Sequence, residues 1–518
     1  MKPTTMTNQS FSKISILPMD EHNQKLISYV HPPDWINPRP KSNYDLVVIG
    51  AGTAGLVVAA GAAGLGLGLK VALIEKHLMG GDCLNFGCVP SKTMIRSAKV
   101  IGEILKAQEL GIKVTKTEIN FPFVMERMRT IRAGISHHDS AERFKSLGID
   151  VFLGEAHFLT NNAVEVDGQK LSYKKAVIAT GARAIIPKID GIKETGFHTN
   201  ETIFSVTELP KSLAVIGAGP IGCELAQAFQ RLGTNVTLFH KYDHILNKED
   251  PDAAEIIQNT FIKEGINLVF NAKILKVEKT EQGKKIYYNS NRIQESITVD
   301  EILVGAGRTP NIEGLNLEAV GVEYDRKGVK VNDFLQTTNP KIYAAGDICL
   351  PYKFTHTADA AARIVIKNTL FAPFGFGKSK FSDLVIPWIT YTAPEIAHVG
   401  KYEHQLQEQG IKYDTIKIFM SSVDRAIVDG ETKGFVKIHH QKGSDKILGA
   451  TIVSSHAGEI ISEITAAIVN KIGLNGLSNV IHSYPTHAEA IKKAADAYRR
   501  TLLTPRSKKI LGLLIKLS

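Results

Sequence analysis

Apolar positions in this chain fall into short β-branched runs separated by glycine turns and alanine-rich stretches. The extreme case lies between Leu46 and Leu69, where no residue is charged. On length alone such a run meets the requirement for a membrane-spanning helix. Its internal pattern points elsewhere: in "DLVVIGAGTAGLVVAAGAAGLGLGLKVALIEK", residues 45–76, a strand LVVI enters a glycine turn, an alanine-rich helix and a second strand, VALIE. That is a βαβ unit. The rhythm returns in "SLAVIGAGPIGCELAQAFQRLGTNVTLFHKYDHIL", residues 212–246. After residue 380 it changes: "IPWITYTAPEIAHVG" and "GFVKIHHQKGSDKILGATIVS" alternate as strands and "HAGEIISEITAAIVNKIG" has helical period. The predicted class is α/β, with two Rossmann-like dinucleotide-binding domains followed by an α+β domain.

The first βαβ unit carries Gly50-x-Gly52-x-x-Gly55 directly after its strand, and its second strand ends in Glu75. Gly50 permits the tight turn, Gly52 lets the backbone approach a pyrophosphate, Gly55 lets helix pack on strand, and Glu75 can accept from a ribose diol. The second unit repeats the glycines as Gly217, Gly219 and Gly222, but its strand ends in His240 and Lys241. Two units imply two dinucleotides. With no acid for a free 2′-hydroxyl and cationic side chains for a 2′-phosphate, the second is expected to be NADPH in preference to NADH.

With 518 residues, 43% of them hydrophobic, the chain needs no disulfide to hold its cores together. Its first residues lack the apolar segment of a signal peptide, so a reducing cytoplasm is expected. The formal charge of +10 comes from scattered Lys and Arg, with no basic arm, and nucleic acid is not expected as a partner. Two of the four cysteines, Cys83 and Cys88, stand in "GGDCLNFGCVPSKTMI", residues 80–95. A structural disulfide, a metal site and redox chemistry are all conceivable for such a pair. Zinc would call for a second pair or clustered histidines, whereas Cys223 and Cys349 are isolated, so no metal site is expected and redox chemistry leads.

These features, with "AVIATGAR" at 176–183, "LVGAGRTPN" at 303–311 and "TTNPKIYAAGD" at 337–347, resemble the FAD-dependent pyridine nucleotide-disulfide oxidoreductases over about residues 43–495. The resemblance implies an N-terminal extension (1–40), an FAD domain in two segments (41–190 and 311–380), a NAD(P) domain (191–310), a dimerisation domain (381–498) and a tail (499–518). It implies that Gly81, Thr180, Gly181, Gly307, Arg308, Gly346 and Asp347 serve cofactor binding. Cys83 and Cys88 would share a helix against the flavin, Cys88 as charge-transfer thiolate and Cys83 as interchange thiol. Pro90 in the helix's first turn places Cys88 near its N-terminus. Lys92 would pair with Glu224 beside the flavin, and the helix opened by Thr355, His356 and Thr357 would face its pyrimidine end. Cys223 and Cys349 are read as packing residues.

Family members are homodimers in which the dimerisation domain completes the partner's active site, so Tyr484 and Glu489 would reach the other subunit's Cys83. In glutathione reductase and lipoamide dehydrogenase the place of Tyr484 in "HSYPTHAE" is a histidine, the acid-base partner of the glutamate. Tyrosine is a poor proton shuttle at neutral pH, and mercuric reductases carry it there. The chain lacks their vicinal cysteine pair. A mercuric-reductase-like enzyme is expected, passing electrons from NADPH through FAD and the Cys83–Cys88 disulfide to a small-molecule or metal-ion acceptor. Lipoamide dehydrogenase, with His482 or His487 as base, and a flavin-bound module without turnover are the alternatives. The basic, leucine-rich "PRSKKILGLLIKLS" is expected to pack on the dimer surface, weak attachment to anionic lipid being the alternative.

Overall fold

The structure is a computed structural model and describes residue 14 and residues 16–517. The uncharged run of residues 46–69 divides as its pattern predicts, into strand Tyr44–Ile49, helix Thr53–Ala63 and the connection to strand Val71–Glu75. Among the described residues no helix is long and apolar enough to cross a membrane.

The first sheet places Asp150–Leu153, Val71–Glu75, Tyr44–Ile49 and Gln169–Ile178 side by side in parallel, the last of them continuously apolar only at its end, Ala176–Ile178. The long strand Gln169–Ile178 also pairs, at its start, with the antiparallel strand Ala163–Val166. Its end takes a late strand, Ile342–Ala344, with Ile342 opposite Ala176. The chain therefore leaves this layer and returns to it about 160 residues later. Helix Thr355–Leu370 packs across helix Thr53–Ala63 so closely that a Cβ on Gly61 would lie 2.5 Å from Ile366 Cδ1.

Between the two visits lies a second parallel sheet, Asn267–Val269, Asn235–Phe239, Ser212–Ile216 and Glu301–Val304, with a three-stranded antiparallel ribbon over residues 273–299. The region after residue 386 is a five-stranded antiparallel sheet covered by helices Ala457–Val469 and Glu489–Thr501. Both faces of the predicted α/β plus α+β division are present.

One expectation is corrected. Residues 1–40 were to lie outside the catalytic fold; residues 1–13 and 15 fall outside the described residues, but the rest of the segment packs into the first domain. Helix Glu21–Val30 is capped by Asp20, and Leu26 and Val30 are fully buried in the same core as strand Tyr44–Ile49. Asp20 accepts from Arg129 Nε at 2.5 Å, and Arg132, 1% exposed, donates to Asn23 Oδ1 at 2.6 Å and to the Asn85 carbonyl at 2.7 Å. A buried guanidinium needs such partners. The segment thereby braces Asn85, two residues beyond Cys83.

Candidate active site

The two cysteines do not share one helix. Cys83 sits in the short helix Gly81–Asn85, the chain turns at Phe86 and Gly87, and Cys88 is the first residue of helix Cys88–Lys106. The paired glycines before Cys83 are a steric requirement: Gly80 and Gly81 have φ of +87° and +58°, and a Cβ on Gly81 would lie 2.6 Å from Gly52 Cα. The cysteine segment is thus pressed against the first glycine loop.

Both thiols are free. Cys88 Sγ lies 3.3 Å from Thr355 Oγ1. The Cys88 thiol is held down at about 6, first by a hydrogen bond from Cys83 and then by Thr355 and the charge of Lys92. The same hydrogen bond pushes Cys83 far up, so the pair keeps one proton on Cys83 and a thiolate on Cys88.

Lys92 Nζ donates to Glu224 Oε2 at 2.7 Å and stands 4.6 Å from the centre of the Tyr391 ring, while Glu224 Oε1 takes the Tyr391 N–H at 2.9 Å. Glu224 is 6% exposed. Burial opposes a charged lysine here, yet Glu224 holds Lys92 above its ordinary value. Removing that charge is expected to raise the Cys88 pKa. A Lys92→Met variant should alkylate roughly fivefold more slowly at pH 6 for a one-unit rise, and recover wild-type rates at high pH. An unchanged pH profile of alkylation would separate Lys92 from the thiolate.

Around the first glycine loop, Glu75 Oε2 accepts the Ala51 N–H at 2.6 Å and Oε1 the His77 N–H at 2.8 Å. Gly52 caps helix Thr53–Ala63 with no side-chain acceptor, and a Cβ on Gly50 or Gly55 would strike backbone at 2.4 Å and 1.8 Å. Arg308 ties three segments together: its Nη1 donates to Asp82 Oδ2 at 3.0 Å and its Nε lies 3.3 Å from Asp347 Oδ2, while Asn200 donates to Asp82 Oδ1 at 2.8 Å. Gly346, at φ +83°, would bring a Cβ within 3.2 Å of Ala54. Thr357 Oγ1 is buried with no partner. An uncapped helix start in a side-chain-free cradle, an orphaned hydroxyl and a polar Arg308–Asp347 pair fit FAD. Thr180 is less available: its hydroxyl donates to the Asn311 carbonyl at 2.8 Å, and Gly181 takes the Asn311 N–H at 3.0 Å, bracing the crossover at Gly307 and Arg308.

The second glycine loop has the same plan. Gly219 caps helix Pro220–Arg231 with open space at its Cβ position, and a Cβ on Gly222 would lie 1.8 Å from the Gly217 carbonyl. His240 stands where Glu75 stands in the first unit, its Nδ1 accepting the Ala218 N–H at 3.2 Å. This corrects the sequence reading of His240 as a cation. It is 7% exposed, burial lowers its pKa, and an accepting Nδ1 places the proton on Nε2. Lys241 is exposed, with its Nζ 4.8 Å from the Tyr242 ring centre.

Within one chain, Tyr484 and Glu489 are not brought to the cysteines. The Tyr484 hydroxyl, on a residue 70% exposed, donates to Asp424 Oδ2 at 3.0 Å, and that contact raises its pKa. Glu489 Oε1 lies 3.4 Å from Lys493 Nζ, and its Oε2 is buried without a partner. His482 and His487 are each engaged by a carboxylate, Glu463 at 2.8 Å and Asp429 at 3.1 Å.

Two family models match: pyridine nucleotide-disulphide oxidoreductase over residues 44–362 and its dimerisation domain over residues 386–495. The chain belongs to the pyridine nucleotide-disulphide oxidoreductase family. The family is FAD-dependent and uses a pyridine nucleotide, and the dimerisation-domain match supports a homodimer. The oxidoreductase is 36% identical to mercuric reductase of Lysinibacillus sphaericus over 464 residues, covering 89% of this chain and 84% of the relative. It is 33% identical to dihydrolipoyl dehydrogenase of Chlamydia muridarum, covering 87% and 96%. Among solved structures, the HOCl-induced flavoprotein disulfide reductase RclA of Escherichia coli superposes with a TM-score of 0.76 at 27% identity, covering 88% and 99%. LpdA of Mycobacterium tuberculosis gives 0.78 at 28% identity, covering 89% and 100%.

Asp82, Asn200 and Tyr391 were missed by sequence reasoning. No local signal marks them: each acts through a partner from a distant segment.

Proposed function

We propose that the oxidoreductase carries electrons from NADPH to the Cys83–Cys88 pair and on to an acceptor that needs no proton relay, as in mercuric reductases. The observation that carries this reading is Tyr484: exposed, hydrogen-bonded to Asp424 and shifted toward keeping its proton, it is a poor base at neutral pH. The glycine loops, Asp347, Arg308 and Thr357 would hold FAD, and Lys241 the 2′-phosphate of NADPH. FAD, when bound, would supply the two-electron relay between nicotinamide and dithiol. The chain's own part is then thiol chemistry. Cys88, a thiolate at neutral pH, closes the disulfide, and Cys83 meets the acceptor as interchange thiol. Tyr484 and Glu489 would stand over that thiol from the second subunit. Hg(II), taken as substrate by two sulfurs, requires no protonated leaving group, whereas an alkyl disulfide does.

The test is anaerobic turnover with NADPH against Hg(II), lipoamide, glutathione disulfide and quinones, with a reductive titration alongside. Uptake of four electrons per FAD supports a working disulfide, and uptake of two rejects it. A second reading, dihydrolipoyl dehydrogenase, draws on the His482–Glu463 contact two positions before Tyr484. Lipoamide turnover that is lost in His482→Gln would favour it.

The nucleotide preference is tested separately. A carboxylate at residue 240 would accept the Ala218 N–H as Glu75 accepts that of Ala51, and would repel a 2′-phosphate. His240→Glu is expected to move the NADPH/NADH ratio of kcat/KM toward NADH by about tenfold or more. A wild-type enzyme that already prefers NADH would overturn the role given to Lys241.

A further inference from the structure

Helix Pro505–Leu517 buries none of its residues. It is nevertheless well encoded locally, with Pro505 in the first turn and the Thr504 hydroxyl accepting the Ser507 N–H at 3.2 Å. Ile510, Leu513, Leu514 and Leu517 recur at i, i+3, i+4 and i+7, which aligns them in one stripe with Leu511 on its flank. These five residues are 45% to 77% exposed. Lys508, Lys509 and Lys516 fall on the other side with Gly512 between them, Arg506 stands at the helix start, and the helix has no acidic residue. Leu502 and Leu503, just before it, are also exposed.

We propose that this helix is a membrane-surface anchor, lying in the interface of an anionic lipid bilayer with its leucine stripe toward the acyl chains. Thirteen residues make a helix of about 20 Å, too short for the ~30 Å hydrocarbon core but long enough to lie along its edge. Lysines flanking an apolar stripe meet anionic headgroups from that position, and Arg506 reaches them by its flexible stem. Charge also argues against the dimer-surface packing expected from the sequence. The chain carries a formal +10, so net charge favours an anionic lipid surface over a second copy as the partner of this all-cationic helix. The anchor is independent of the acceptor's identity.

The test is flotation of the full-length, FAD-loaded protein with vesicles of phosphatidylcholine alone and of phosphatidylcholine containing phosphatidylglycerol. The protein is expected to float with the anionic vesicles only, less so at high salt. Each cation near an anionic surface is worth about fivefold in partitioning, so Lys508→Ala with Lys509→Ala should weaken binding roughly thirtyfold. Leu513→Glu with Leu514→Glu should leave the protein unbound, with flavin absorbance and oligomeric mass unchanged. Equal flotation of wild type and the Leu513/Leu514 variant would overturn the proposal, as would failure of the wild type to bind. A loss of oligomeric mass in that variant would also overturn it, by putting the helix on the second subunit.

Discussion

Cys88→Ser is expected to abolish the long-wavelength absorbance that a thiolate beside oxidised flavin produces, while Cys83→Ser keeps it. The geometry requires the asymmetry. Cys88 has the Thr355 hydroxyl at 3.3 Å and the field of Lys92, whereas Cys83 is the partner that retains the shared proton. In the reduced wild type the Cys88 pKa lies at about 6, below an ordinary thiol. The thiolate, and the band with it, should be complete well above pH 6 and disappear as the pH falls through that value. Cys83→Ser removes the largest contribution to the depression, the Cys83 hydrogen bond, so its midpoint should move upward. Both variants should lose turnover by ~10⁴-fold or more, as expected when a nucleophile is removed from a unit that acts together. A band that survives in Cys88→Ser would reverse the two assignments.

Tyr484→His is expected to raise turnover with lipoamide or glutathione disulfide near neutral pH. The imidazole would replace a hydroxyl that lies 3.0 Å from Asp424 Oδ2, a carboxylate able to orient it, and Glu489 Oε2 is buried with no partner. General acid-base help is worth ~10²–10⁴-fold, so even an imperfectly aimed ring should register. The gain should appear in kcat with disulfides and leave Hg(II) reduction unimproved. Absence of any gain would mean that the shape of the pocket excludes those substrates. Substantial wild-type activity with either disulfide would transfer the base's role to His482 or His487.

What was legible in the sequence follows from which residues answer to local rules. Gly50, Gly55, Gly217 and Gly222 are demanded by backbone contacts inside one βαβ unit, and so are visible in a short stretch. The dithiol was marked by its spacing and flanking glycines. The charge state of His240 was misread because burial, set by the surrounding sheet, decides it. The helix Glu21–Val30 was read as an extension because its justification lies 109 residues away, in Arg129 and Arg132. Thr355 reaches Cys88 across 267 residues, and Asp82, Arg308 and Asp347 meet only after the chain has left the first sheet and returned.

The helix Glu21–Val30 imposes an order on synthesis. It leaves the ribosome roughly ninety residues ahead of helix Phe121–Ile135, which holds its buried arginine partners, and at ~5–20 residues per second that gap lasts several seconds. Throughout it, Leu26 and Val30 have no completed core, and Asn85 has no guanidinium to hold it. A nascent chain in this interval exposes both the apolar face of that helix and an unbraced cysteine segment, which is the form that a chaperone would meet. Thr355 arrives later still, so the contact at Cys88 Sγ forms only when most of the polypeptide has been made.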